Sequence, residues 1–160
     1  MEEFVPNENV NFLLDEMQAI ETVRKNEHGY KDCHIIRRPP TPLHQRRVDV
    51  SNFVDLLDHT GFMQCTRIRL DKESTRSYAH SAIKVHRLGQ LKLYFEEKEG
   101  LVSRIGIMVG LITSVKEFDS ITSFLLKLEV DYDLVIVDWW KKQVIDSDEK
   151  LKNYLMEMFK

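Results

Sequence analysis

Between Phe62 and Ile112 the apolar residues recur at every second position, and this period of two constrains the fold more than any other feature of the chain. A strand repeat cannot bury its apolar face as a helix, so this part must form sheet. Phe62 to Leu70 places Thr66, Ile68 and Leu70 on one face and Cys65, Arg67 and Arg69 on the other. Ala79 to Arg87 turns Ile83 and Val85 inward and His80, Lys84 and His86 outward. Leu91 to Glu96 turns Leu91, Leu93 and Phe95 inward and Lys92, Tyr94 and Glu96 outward. A three-residue loop, Leu88-Gly89-Gln90, keeps these faces in phase by setting Val85 beside Leu93, with Gly89 relieving the turn. Leu101 to Ile112 continues the pattern through Ile105, Ile107, Val109 and Leu111, leaving Gly106 and Gly110 on the opposite face. Leu134 to Val137 is apolar on both faces and reads as an interior strand.

Helical spacing occupies the flanks. Val10, Leu13, Leu14, Met17 and Ile20 predict a first helix over Glu8 to Lys25, with Asn7 as its cap. Ser51 is expected to cap a short helix that buries Phe53, Leu56 and Leu57 and stops at Gly61. Ser114 and Glu117 have capping-box spacing ahead of Phe118, Ile121, Leu125 and Leu128. A last helix begins near Ser147, with Asp148 and Glu149 at its positive end and Leu151, Tyr154, Leu155, Met158 and Phe159 on one stripe. The expected fold is α+β: a mainly antiparallel sheet of about five strands with helices packed on one face. All of residues 1–160 are expected to form one globular domain, with a long basic, proline-containing loop at about 26–50.

Composition narrows the class. With 42% hydrophobic and 31% charged residues and a net charge of −3, the chain reads as an ordinary folded protein and not as a disordered or strongly nucleic-acid-binding one. The two cysteines, Cys33 and Cys65, fall in dissimilar contexts and are expected to be reduced thiols, which with the acidic start of the chain points to the cytoplasm. Its longest apolar-rich run, Ile105 to Thr113, falls short of the ~20 residues a membrane helix needs, so no membrane partner is expected.

Four groups of residues invite a functional reading. Cys33, His34, His44 and His28 invite a metal reading, yet adjacent Cys33 and His34 converge poorly and no paired ligand spacing occurs, so neither metal nor other cofactor is expected. His80 and His86 with Lys84 and Tyr94 could supply a base and anion-stabilising groups if their face lined a cleft. An antiparallel sheet with one wet side gives the same alternation without any chemistry. No hydrolase elbow, phosphate loop or dinucleotide fingerprint occurs. Arg37, Arg38, Arg46 and Arg47 in the proline-bearing loop could hold an anion such as a phosphate or nucleotide. The fourth group is Asp133, Asp138, Trp139, Trp140 and Asp146. Neighbouring residues of an extended chain face opposite ways, so Trp139 and Trp140 cannot both be buried unless both faces are covered. Tryptophan dominates many interfaces, and acidic neighbours would steer a basic partner.

The expectation that follows is a non-enzymatic macromolecule-binding protein whose partner is another protein. One concrete form is a bacterial immunity-type inhibitor that blocks its partner with this acidic, aromatic surface. The alternative is a phosphate- or nucleotide-recognising enzyme or binder using the basic loop and the His80/His86 face. Nucleic acid is the less favoured partner, because the chain lacks a basic excess and an aromatic RNA-binding signature.

Overall fold

The computed structural model describes residues 2–23, 25–26, 29–30, 35–65, 67–69, 75–77 and 83–160, the pairs 25–26 with 29–30 and 67–69 with 75–77 by their backbone alone. Seven strands form one antiparallel sheet: β1 (Glu2–Pro6), β2 (Met63–Gln64), β3 (Ile83–Leu88), β4 (Leu91–Lys98), β5 (Leu101–Val109), β6 (Leu134–Asp138) and β7 (Gln143–Ile145). Their order across the sheet is β7-β6-β1-β5-β4-β3-β2. Four α-helices among the described residues accompany them: α1 (Val10–Glu21), α2 (Val50–His59), α3 (Val115–Tyr132) and α4 (Asp148–Met156). The α+β fold expected from the pattern is the one observed, with seven strands instead of about five and with α1 on the face opposite the other helices.

Periodicity alone suggested neither the short β7 nor, more consequentially, β1. The latter lies between β5 and β6, pairing Phe4 with both Ile105 and Ile136, so the sheet is continuous only because the N-terminus threads through its middle. Two apolar residues suffice there because each serves a different face. Phe4 joins the main core with Leu91, Leu93, Phe95, Ile105 and Ile107, over which α2, α3 and α4 pack. Val5 joins Leu13, Met17, Val135, Val137 and Val144 on the other face, under α1. Helices therefore cover both faces near β1, β6 and β7, which explains why Leu134 to Asp138 is buried at every position. Pro6 closes β1 at its end, where a missing backbone donor costs least.

Helix ends also differ from the pattern. Asp49, not Ser51, caps α2: its carboxylate accepts from the Asn52 backbone N–H at 3.1 Å, and the Ser51 hydroxyl donates to the same oxygen at 2.5 Å. Together these bonds hold the Asp49 carboxyl below its usual range. A 3-10 turn over Asn7–Asn9 precedes α1, which ends at Glu21 instead of Lys25. Asn7 instead donates to Asp133 at 3.3 Å, while the buried Asn9 amide clamps Thr41 by bonds of 2.7 and 3.0 Å to its carbonyl and N–H. Ser114 caps α3 as expected, accepting from Glu117 N–H at 3.2 Å, but the Glu117 carboxylate crosses to Gln90 N–H at 2.6 Å. That bond ties the start of α3 to the β3–β4 turn.

The turn has two residues, not three: Leu88 pairs with Leu91, Val85 with Tyr94 and His86 with Leu93. Gly89 does take positive φ, +55°, as its position demands. A Cβ there would stand 2.1 Å from the Glu117 carboxylate, so Gly89→Ala displaces that cross-link and strains the backbone. We expect a loss of about 1–2 kcal/mol, read as a lower urea midpoint at unchanged slope.

Candidate functional site

The one-residue difference in the turn rearranges the face on which His80, His86, Lys84 and Tyr94 were expected to meet. His86 points into the main core, 2% exposed and stacked on Phe95 with ring centroids 5.6 Å apart. Lys84, opposite Phe95, shares the face of His86, whereas Tyr94 lies opposite Val85 on the reverse side. Burial holds the His86 imidazole below its ordinary pKa, against a small upward pull from Asp58. It behaves as a neutral core residue. His80, like His28, Cys33 and His34, lies outside the described residues. Among the described residues no three His, Cys, Asp or Glu side chains gather as a metal site would need.

The basic loop is built into the fold where it is described. Leu43 and Val48 are core residues, and the Val48 carbonyl accepts from Val102 N–H at 2.9 Å. Arg46 pairs with Glu8 and with Asp133, at 2.8 Å from the latter. Arg37 grips the fully buried Glu16: its backbone N–H donates at 2.9 Å and its Nε at 2.5 Å, while the guanidinium stacks over Phe12 at 5.2 Å. Two of the four arginines are thus spent on carboxylates of the same chain, and only Arg38 and Arg47 are exposed without a described ion pair. The four do not converge into one anion pocket.

The acidic, aromatic group divides in a similar way. Asp133 sits in the left-handed region (φ +52°) at the end of α3, held by Arg46. Asp138 is 3% exposed, and its Oδ1 accepts from the backbone N–H of Trp140 at 2.9 Å and of Lys141 at 3.0 Å. This carboxylate therefore shapes the turn between β6 and β7 and presents no charge to a partner. The two tryptophans part, although both lie in the turn after β6 and not in a strand. Trp139 lies against the α1 layer and donates its indole N–H to Glu3 at 2.7 Å. Trp140 projects from the turn with 91% of its surface exposed.

Around that turn the charges are mostly paired: Lys141 with Glu157, Asp146 with Lys150 at 2.7 Å, and Asp148 with Lys152 at 2.8 Å. Asp146 and Asp148 each meet a lysine four residues on, so these acids are not free charges. Beside β7 a cavity of about 380 Å³ opens between Leu14 of α1, Asn153 and Tyr154 of α4, and Glu157 just beyond it. Tyr154 is buried, and desolvation together with the nearby Glu2 carboxylate raises its phenol pKa. Of the cavity's lining, Asp146 belongs to the acidic, aromatic group, whereas Trp139 and Trp140 do not border it. Leu14 was read as core because its spacing is helical, but it is 51% exposed.

One titrating group borders this region. Burial, then Asp146 and Asp148, pushes the Glu129 carboxyl up from 4.5 to about 7, and its Oε1 is buried without a hydrogen bond among the described residues. The folded chain thus retains a proton that the unfolded chain releases above pH 4.5, so stability falls as pH rises from there to about 7. His86 works in the opposite sense, removing stability as pH drops below 6.5. Glu129→Gln is expected to stabilise the protein by about 1–2 kcal/mol at about pH 8, a figure discounted for partial solvation, and by much less at about pH 4.5. Urea midpoints at both pH values measure the difference. No helix among the described residues is long and apolar enough to cross a membrane. No protein-family model, curated protein or solved structure matches the chain.

Proposed function

We propose that this chain is a non-enzymatic protein-binding protein that engages its partner through the β6–β7 turn. The single observation that carries this reading is Trp140, a large apolar side chain held 91% exposed by a turn whose geometry is fixed from below by buried Asp138. Exposing a tryptophan forgoes about 1.5–3 kcal/mol of burial, and a rigidly presented aromatic is what an interface anchor requires. Lys141 and Lys142 follow it in the same turn and would supply a polar rim. The catalytic alternative loses support because His86 is core and Lys84 and Tyr94 face opposite ways. The anion-binding alternative loses support because Arg37 and Arg46 already hold Glu16, Glu8 and Asp133.

An immunity-type inhibitor in the bacterial cytoplasm, covering the active site of its target, is the form we favour for such a binder. Its contact would centre on Trp140, with Asp146 in the rim. The test is affinity capture with the tagged chain and with Trp140→Ala, before and after nuclease treatment, read by mass spectrometry. A near-stoichiometric, nuclease-resistant protein retained by the wild type and lost by the variant supports the reading. Equal recovery by both, or recovery of nucleic acid alone, rejects it.

A further inference from the structure

At the β3–β4 turn end of the sheet, four residues stand in one row across four strands. Met63 lies opposite Arg87, Arg87 opposite Lys92, and Lys92 opposite Met108. Their chain neighbours Phe62, Leu91, Leu93 and Ile107 point into the main core, so strand alternation turns all four to the other side. All four are exposed, Met63 at 69% and Met108 at 43%. One row in, Val85 is 3% exposed, so the opening is confined to this end. Arg87 and Lys92 are like charges set directly opposite one another, an arrangement that weakens a sheet. The Arg87 guanidinium donates to the Gly89 carbonyl at 2.6 Å, and among the described residues neither cation has an ion pair. Two acids of the same face, Glu3 and Glu96, meet Arg104 instead.

We propose that this row is an interaction surface for an acidic, partly apolar segment of a protein partner, with a carboxylate bridging Arg87 and Lys92 and apolar groups seated on Met63 and Met108. A carboxylate between the two cations relieves a repulsion that the chain itself leaves uncompensated. The flanking methionines carry flexible thioethers that adapt to apolar side chains. A chain of net charge −3 with two such cations draws a long polyanion poorly, whereas a short acidic segment matches the patch. The row is also continuous with the Trp140 turn. Glu3 pairs with both Gly106 and Val137, so Met108 and Trp139, each two residues on, leave the sheet at the same end. Strands ~4.8 Å apart put the β6–β7 turn about 10 Å from β5, within the span of one ordinary interface. The inference rests on the Trp140 reading for the identity of the partner and adds the chemistry of its contact.

The test is a zero-length carbodiimide cross-link, which joins a lysine amine only to a carboxylate in contact with it. Applied to the full chain with its captured partner, it should join Lys92 to an aspartate or glutamate of that protein, mapped by mass spectrometry. Lys92→Arg should remove the cross-link and keep the affinity, because the positive charge remains. Lys92→Glu should weaken binding about tenfold while its urea midpoint rises, since the reversal turns a like-charge pair into an ion pair. A partner that forms no cross-link at Lys92, or that binds Lys92→Glu as well as the wild type, overturns the proposal. So does a loss of binding that comes only with a loss of stability. If the partner is lost with Trp140→Ala and kept with Lys92→Glu, this inference fails and the Trp140 reading stands. The reverse pattern upholds the row and removes the Trp140 reading, and capture of no protein by the wild type rejects both. Wild-type binding to a short DNA duplex or to phosphatidylserine vesicles, abolished by Lys92→Glu, assigns the row to a polyanion and overturns the protein segment.

Discussion

Phe53→Ala is expected to cost about 3–5 kcal/mol, a large share of the stability of an ordinary domain. Phe53 is fully buried on α2 and meets Phe95 edge-to-face at 5.2 Å and Tyr132 at 6.3 Å. It thereby joins α2, the centre of the sheet and the end of α3 in one contact. Removing the ring loses its transfer free energy and leaves a cavity that three separate elements cannot easily close. Nearby Phe62 packs on Phe124 at 4.5 Å, so the damage should spread along the α2–α3 side of the core. Chemical denaturation with tryptophan fluorescence and circular dichroism as parallel probes measures the loss. A cost below about 1 kcal/mol would mean that α2 is not docked as described.

Trp140→Ala should behave in the opposite way, leaving stability within about 0.5 kcal/mol while weakening partner binding by at least about 2 kcal/mol, or thirtyfold. The asymmetry follows from exposure. A ring that is 91% exposed contributes little to folding, and its area becomes useful only when another surface covers it. Trp139→Ala is the informative contrast, because that residue packs in the α1 layer and bonds Glu3 at 2.7 Å, so its loss should register in stability first. The two adjacent indoles thus separate folding from binding within one dipeptide.

Periodicity made the β4 and β5 strands, α3 and α4 legible, because Leu91, Leu93, Phe95, Ile105 and Ile107 all serve a single core. It failed where both sides of a strand are covered. Val85 is buried on one face and His86 on the other, so assigning an inward face to Val85 forced the three-residue loop and sent His86 to solvent. Period two carries no information on which face is core when both are dry. The β1 strand was hidden for a related reason: Glu2-Glu3-Phe4-Val5-Pro6 has too few apolar residues to alternate, and only its two neighbours make it a strand. Of the candidate surface, Trp140 is exposed as one of the two tryptophans was expected to be, but the turn after β6, not strand alternation, separates it from Trp139. The burial of Asp138 was not readable, since a turn-forming aspartate and a partner-seeking one look alike in sequence. Nor could charge counting foresee that Arg46 and Asp133, assigned to separate surfaces, would neutralise each other.

The most direct measurement is a calorimetric titration of the captured partner into the purified wild type and into folded Trp140→Ala. A one-to-one complex that weakens at least thirtyfold in the variant, with denaturation midpoints unchanged, is the predicted result. Equal affinity for both proteins would contradict the account by placing the binding surface away from the β6–β7 turn.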